Sequence, residues 1–541
     1  MDADFASIWE IVADTVPDRL AIVQGSRRIT YRTYEEQAAR LASALVAAGV
    51  EEGAGVGLYL YNSAEYLIGQ FGGFKCGAVP VNVNYRYLDD ELAYLLIDSG
   101  AQAIVFHTSL GDRVDRIRDK VPKLRLLVEV DDGGAHVEGA VAFDDLLAAH
   151  EPAPRAPSTG RERYMLYTGG TTGMPKGVMY RHGDFSGRLY DAYAMLGVAP
   201  PPQRASEIPA FVEAMVKAVP TTSVPCCPLM HGTGMWISAM RAHLVGGTVV
   251  LLESRHFDAH ELWDVVERER VTEIVIVGDA FARPLLRALE EREAQGTAYD
   301  TSSVAWIVSS GTIWSAELKD GLRERTPAVL LDLLGSTEAG TIGSSVAGSD
   351  TGAETAKFSL ASGARVVTED DRRGVVPGSG ERGMLATQSA AYGYWNDPEK
   401  SARTFVEIDG VTYVISGDWA TVEADGSITL LGRGSNCINT GGEKVFPEEV
   451  EEAVKRHPGI DDCMVVGIPD ERFGQRVAAV ASSSATPPPS EEELRHWLRP
   501  YISHFKIPST IVVLEAIRRA PNGKADYDWA RRTVSAGVTD G

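Results

Sequence analysis

The sequence predicts an α/β protein: a large N-terminal domain made of two α/β subdomains plus a β subdomain, followed by a small α+β C-terminal domain. Three observations predict it. Near-continuous apolar runs such as VGLYL at 56–60, TVVLL at 248–252 and EIVIV at 273–277 alternate with helical periodicity, the pattern of parallel strands covered on both faces. From about Thr341 to Leu431 the chain changes to short, glycine-punctuated strands, including GVTYVISGDWATVEADGSITLLGR. After Gly432 a third pattern begins, and 541 residues exceed what one hydrophobic core supports.

The elements follow in order. Thr33 and Glu36 have capping-box spacing, Tyr34, Ala38, Leu41 and Leu45 form one apolar stripe, and Gly49 ends it, which predicts a helix packed on a sheet. EPAPRAPSTGRER at 151–163 reads as a surface linker, because prolines and polar residues interrupt any period. In the unit after it, VAWIV joins the apolar strands and AHELWDVVERER is a covering helix. In the last module Pro447 sits at a helix N1, with glutamates in the first turn and Lys455 and Arg456 in the last. The strands DCMVVGI, VAAVASS and TIVVL and a helix near 489–498 complete a unit of roughly 110 residues.

Composition narrows the class. Charged residues make up 23% of the chain and are interspersed, and no stretch reaches the roughly 18 uninterrupted apolar residues of a membrane span. The opening MDADFASIWEIVADTVPDR carries acids where a secretory signal needs a basic start and an apolar run, so Met1 onward is expected to be mature sequence. Five cysteines, Cys76, Cys226, Cys227, Cys437 and Cys463, lack CxxC spacing, which argues against disulfides and zinc and for a cytoplasmic location. A net charge of -23 would repel a nucleic-acid backbone, so no nucleic-acid partner is expected. Any anionic small molecule must find a locally basic or NH-rich site.

YTGGTTGMPKG, Tyr167 to Gly177, has that chemistry: four glycines, three threonines and a lysine in eleven positions after an apolar strand start. Glycines at Gly169, Gly170 and Gly173 let backbone NH groups approach anionic oxygens, Thr168, Thr171 and Thr172 add hydroxyl donors, and Lys176 adds charge. It is not a Walker A loop, since Met174-Pro175 precedes the lysine and Pro175 disfavours a tight helix start. The bland alternative is a flexible hairpin.

The segment resembles the signature of the acyl-adenylate-forming superfamily, which includes acyl-CoA synthetases, luciferases and peptide-synthetase adenylation domains. Four further motifs match in order: Gly335-Ser336-Thr337-Glu338, Gly417-Asp418, Gly432-Arg433 and Pro521-Asn522-Gly523-Lys524. The resemblance spans nearly the whole chain. It implies an N-terminal AMP-binding domain over 1–432, a mobile C-terminal domain over 433–541, and ATP, Mg²⁺ and coenzyme A as cofactors and co-substrates. It implies that Lys176 and Glu338 serve the triphosphate and its metal. Asp418 and Arg433 contact the ribose, and Lys524 bridges carboxylate and α-phosphate during adenylation. PLMHGTG resembles the acyl-site histidine motif and would place His231 beside the substrate carboxylate. INTGGEKVFPEEVE resembles the loop that guides pantetheine, with Gly441, Gly442 and Glu443 on the path and Ser435 at the hinge.

Departures from the family pattern are informative. Ser435 stands where an acidic or basic pivot is usual, Leu334 where an aromatic stacks on adenine, and Ser310-Gly311-Thr312-Ile313 where Gly-Gly-Ala-Pro lines the acyl site. With VGDAFARPL and its Gly278, these variants look most like actinobacterial fatty-acyl and steroid side-chain CoA ligases. Two local readings stay open. His231 lines the acyl site or caps a helix, and Trp236 with Met240 lines an acyl pocket or forms a core stripe. The expected activity is thioester formation from an apolar carboxylic acid, against transfer to a carrier-protein thiol or a non-catalytic binding relative. Many relatives form homodimers.

Overall fold

A computed structural model describes residues 1–170, 173–347, 354–440, 443–470, 474–520 and 523–539. Thr171, Thr172, Gly441 and Gly442 lie outside the described residues, and of Gly169, Gly170, Gly173, Arg433, Ser435 and Glu443 only the backbone is described. The apolar run at 56–60 becomes part of a parallel sheet in the order Val79–Asn82, Gly55–Tyr59, Ala101–His107, Leu126–Val130, Val141–Ala142.

The second sheet is larger. Its parallel part runs Leu20–Gln24, Thr248–Leu251, Thr222–Pro225, Glu273–Ile276, Trp306–Ser310, Val329–Ser336. From Val329–Ser336 it continues as antiparallel strands, beginning with Gly340–Ala347 and Lys357–Leu360. The glycine-punctuated region is therefore hydrogen-bonded edge to edge with the α/β unit before it. Leu20–Gln24 pairs with the next strand, Arg27–Thr30, and joins both to this sheet, because Ile22 to Gln24 pair in parallel with Val249 to Leu251.

The stripe through Tyr34 and Leu45 forms the helix Tyr31–Ala47. Its cap is Thr30, whose side chain accepts the Thr33 N–H, so the expected cap at Thr33 is corrected by one turn. Thr30 takes the role because it ends the strand Arg27–Thr30 in an extended conformation, ψ 163°, which points its hydroxyl back at the first helical turn. The linker is fastened by Arg155, which forks onto Asp14 at 2.6 and 2.9 Å. Phe5, Trp9, Phe74, Tyr164 and Phe185 interlock in the adjoining core, with ring centroids 5.6–6.1 Å apart where they meet.

In the C-terminal module the helices Pro447–Lys455 and Glu491–Leu498 share one buried cluster through Val450, Val454, Leu494 and Leu498. Tyr527–Thr539 contributes Ala530 and Val534 to a second cluster, with Met464 and Val466 of the alternate strand positions. Among the described residues no helix is long and apolar enough to cross a membrane.

Candidate active site

Ligands of open α/β sheets bind beyond the C-terminal ends of the strands, where the loops diverge. In the second sheet Thr222–Pro225 leads to His231, Glu273–Ile276 to Gly278, Trp306–Ser310 to Gly311 and Val329–Ser336 to Glu338. Chain topology thus brings these candidates to one edge.

Two asparagines at strand ends of the first sheet hold the His231 loop. Asn62 accepts the Leu229 N–H at 2.7 Å and donates to the Cys227 carbonyl at 3.2 Å. Asn82 donates to the Met230 carbonyl at 2.7 Å. After the loop, Thr233–Met240 winds with wide π-helical turns, a rare geometry found mostly at functional sites. Gly232 occupies the cap position without a side-chain cap bond, so the His231 imidazole does not cap this helix. Its Nε2 is buried with no hydrogen-bond partner among the described residues. Burial, then the nearby Lys524 charge, push the His231 pKa down to about 3, so a neutral ring is offered to the site. Trp236 packs in the core, its Nε1 donating to the Tyr164 hydroxyl at 2.8 Å and its ring 4.8 Å from Phe185. Met240 is fully buried in the same cluster.

Lys524 arrives from the other domain. Arg519 and Ala525 bridge, the Ala520 N–H donates to the Lys524 carbonyl at 2.9 Å, and the hairpin packs Gly523 against Val277, Ala280 and Phe281. The focus is Gly311, at φ +97°: a methyl there would lie 3.7 Å from Val277 Cγ1, 3.8 Å from Thr233 Oγ1 and 3.9 Å from Lys524 Cε. Four separate sequence motifs therefore meet within one side chain's length. Gly278 is more constrained, with φ +54° and a would-be Cβ 2.1 Å from Thr312 Oγ1. Its N–H donates to Ser309 Oγ at 2.9 Å, while Ser310 Oγ donates to the Leu333 carbonyl at 2.8 Å.

The glycine-threonine segment is a hairpin of Arg163–Gly170 and Gly173–Arg181, with Thr168 opposite Lys176. Lys176 Nζ is 3.2 Å from Asp397, whose hydrogen bond raises the lysine pKa and fixes it as a cation. Three residues before Asp397, the Tyr394 hydroxyl donates to Glu338 Oε1 at 2.7 Å, and the Tyr180 hydroxyl donates to the Thr337 carbonyl. Ser336 Oγ accepts the Ala339 N–H at 3.1 Å, closing the turn that follows Gly335. The segment 389–397 thus clips the lysine hairpin strand to the Glu338 turn. Asp418 is buried on Val411–Val422, in register with Arg433 on Ile428–Arg433. Ile428–Arg433, Lys357–Leu360 and Gly340–Ala347 separate its strand from the one leading to Glu338.

Sequence reasoning missed Asn62, Asn82, Tyr394 and Asp397. The first two carried a signal, an asparagine at or just beyond the end of an apolar strand. Asp397 caps Pro398–Thr404 and accepts the Lys400 N–H at 3.0 Å, and so looks like an ordinary turn residue. A cavity of about 780 Å³ is not lined by Lys176, Glu338 or Asp418. It opens between the strand ends of the two α/β sheets beside Tyr61, Tyr85, Arg86, His107 and Arg255, and reaches the site through Pro228 and Phe281.

The AMP-binding enzyme family matches residues 9–395, and the AMP-binding enzyme C-terminal domain matches 449–524. The chain is 38% identical to the medium/long-chain-fatty-acid–CoA/3-oxocholest-4-en-26-oate–CoA ligase of Mycolicibacterium smegmatis, over 98% of this chain and 96% of that protein. It is 36% identical to the 3-oxocholest-4-en-26-oate–CoA ligase of Rhodococcus rhodochrous, with the same coverage of both. The fold is shared with the anthranilate CoA ligase AuaEII in complex with anthranoyl-AMP, at a TM-score of 0.83, 23% identity and coverage of 100% and 99%. The chain belongs to the AMP-binding enzymes, the acyl-adenylate-forming superfamily.

Proposed function

We propose that the chain is an ATP-dependent acid–thiol ligase that activates an apolar carboxylic acid, a medium- or long-chain fatty acid or a steroid side-chain acid, as acyl-AMP and transfers it to coenzyme A. The observation that carries the chemistry is the meeting of Lys524 with His231, Thr233 and Gly311 across the domain boundary. A carboxylate is a poor electrophile because oxide would have to leave, and joining it to AMP supplies a stable leaving group while pyrophosphate departs. That displacement is driven by positioning and charge neutralisation. Lys524 places a cation where the acid's carboxylate meets the α-phosphate. His231, neutral at working pH, contributes a polar contact without a second positive charge. Lys176 and the backbone NH groups of the hairpin hold the outgoing phosphates, and Asp418 with Arg433 holds the ribose.

Glu338 fits a hard cation such as Mg²⁺, which it would hold as a single carboxylate oriented by Tyr394. When bound, the ion neutralises phosphate charge. The domain boundary at 432/433 and the path for the thiol past Gly441, Gly442 and Glu443 belong to the same reading, and the cleft beside Pro228 and Phe281 gives room for substrate beyond the reacting group. The test is acid-dependent exchange of labelled pyrophosphate into ATP across a panel of acids, followed by coenzyme A. Exchange with thioester formation is expected for apolar acids. Exchange without thioester would assign the product to a carrier-protein thiol, and no exchange with any acid would leave a binding protein only.

A further inference from the structure

The C-terminal domain touches the Val277–Phe281 turn at two places. One is Gly523, immediately before Lys524. The other is Lys455, at the end of the helix Pro447–Lys455, whose Nζ is 3.0 Å from Asp279 Oδ2 and 2.7 Å from Glu452. Lys455 and Asp279 are both almost fully enclosed, each side chain 10% exposed. Asp279 Oδ1 accepts the Ser315 N–H at 2.8 Å, and the Asp279 N–H donates to the Ile313 carbonyl at 3.3 Å. One carboxylate therefore joins the Gly278 turn to the loop that follows Gly311.

Asp462 also lies close enough to Lys455 to act on its charge. Asp462 is forked by Arg519 at 2.6 and 2.6 Å, and Arg519 Nη1 donates to the Gly523 carbonyl at 3.0 Å. The polar chain runs Ser315, Asp279, Lys455, Asp462, Arg519, Gly523, and ends one residue from Lys524. Arg287 and Asp461, 2.5 Å apart, add a second ion pair across the same boundary.

We propose that Lys455 is a positioning residue for adenylation: through Asp279 it registers the lysine hairpin against the turn and loop that frame Gly311, and so sets where the Lys524 ammonium stands. An enclosed pair that loses one partner leaves an uncompensated charge, and a displacement of about 1 Å in a reacting group costs up to about a hundredfold in rate. The inference rests on the acyl-adenylate reading given above. The wild-type chain tests that reading on its own by acid-dependent exchange, so its failure is seen before any variant is compared.

The experiment measures both half-reactions in Lys455→Met, Lys455→Arg and Asp279→Asn. For Lys455→Met and Asp279→Asn, the kcat of pyrophosphate exchange is expected to fall between about tenfold and a hundredfold, with KM for ATP within about twofold. Conversion of a supplied acyl-adenylate and coenzyme A to thioester is expected to stay within about twofold of wild type. Lys455→Arg, which keeps the cation, recovers most of the exchange rate. Asp279→Asn is nearly isosteric and reports the same contact should Lys455→Met fold poorly. Unchanged exchange in both charge-removing variants, or an equal fall in both half-reactions, overturns the proposal.

Discussion

Asn82 and Tyr167 pair twice: the Tyr167 N–H donates to Asn82 Oδ1 and Asn82 Nδ2–H donates to the Tyr167 carbonyl, both at 2.8 Å. The remaining Nδ2–H reaches the Met230 carbonyl, so one amide joins the Lys176 hairpin to the His231 loop. In Asn82→Ala three buried backbone groups lose their partner, each worth about 1–3 kcal/mol when left unsatisfied. Thermal unfolding is expected to drop by several degrees, and KM for ATP to rise more than KM for the acid.

In the reaction proposed above Lys524 and Lys176 bring charge to different parts of the substrates, and their removal is expected to separate the two roles. Lys524→Ala is expected to lower acid-dependent exchange by at least about a thousandfold, on the scale of a lost charge-stabilising donor, while a supplied acyl-adenylate still forms thioester. Lys176→Met acts on phosphate binding and raises KM for ATP. Steady-state exchange kinetics with each variant check both.

The His231 ring stays neutral above about pH 3 because burial and the Lys524 charge both oppose its protonation. The pH profile of adenylation is therefore expected to show no step from His231 between pH 5 and 8. In Lys524→Ala, where the repelling charge is gone, the imidazole pKa rises, and proton NMR of the ring reads the shift.

Glycines at two neighbouring loops make unequal demands. Gly311→Ala meets its neighbours at ordinary contact distance and pays only for φ +97°, about 1–3 kcal/mol. Gly278→Ala drives a methyl into Thr312 Oγ1 and to 2.4 Å from the Ile313 carbonyl. Denaturant unfolding should show Gly278→Ala much the more destabilised.

His243 is buried against Trp9, Tyr31 and Tyr34, and burial lowers its pKa to about 4. The unfolded chain, with an ordinary histidine pKa near 6.5, binds more protons between those values, so this group's contribution to stability falls as pH drops from about 6.5 to 4, by up to about 1.4 kcal/mol per pH unit. His243→Gln is expected to flatten the dependence of Tm on pH in that window relative to wild type.

Much of this was legible in the chain because the informative signals are local. Apolar runs at 248–252, 273–277 and 304–308 became parallel strands of one sheet, and motifs placed directly after them fell at one edge for topological reasons. What escaped was set by partners distant in sequence. Leu20–Gln24 reads like its neighbours, yet pairs with Val249 to Leu251 more than 200 positions away. Asp397 and Tyr394 bear no motif, and their roles exist only because Ala391–Tyr394 adds to the edge of the phosphate hairpin. Lys455 was read as favouring a helix C-terminus, which it does; its partner Asp279 lies 176 residues earlier.

Gly432, at φ +118°, lies against Glu448, whose Oε2 would be 2.1 Å from any Cβ placed there. Glu448 stands in the first turn of the helix that Lys455 ends, nine residues or about 13 Å of rigid rod. If the domains rotate as proposed, with Gly432 near the pivot at one end and the ion pair at the other, that rod would act as a lever: a turn of about 10° would carry the Lys455 end sideways by about 2 Å. Such a sweep would break a 3.0 Å contact outright, so in the proposed rotation the two domains would engage as a catch that is either set or released, with little travel between.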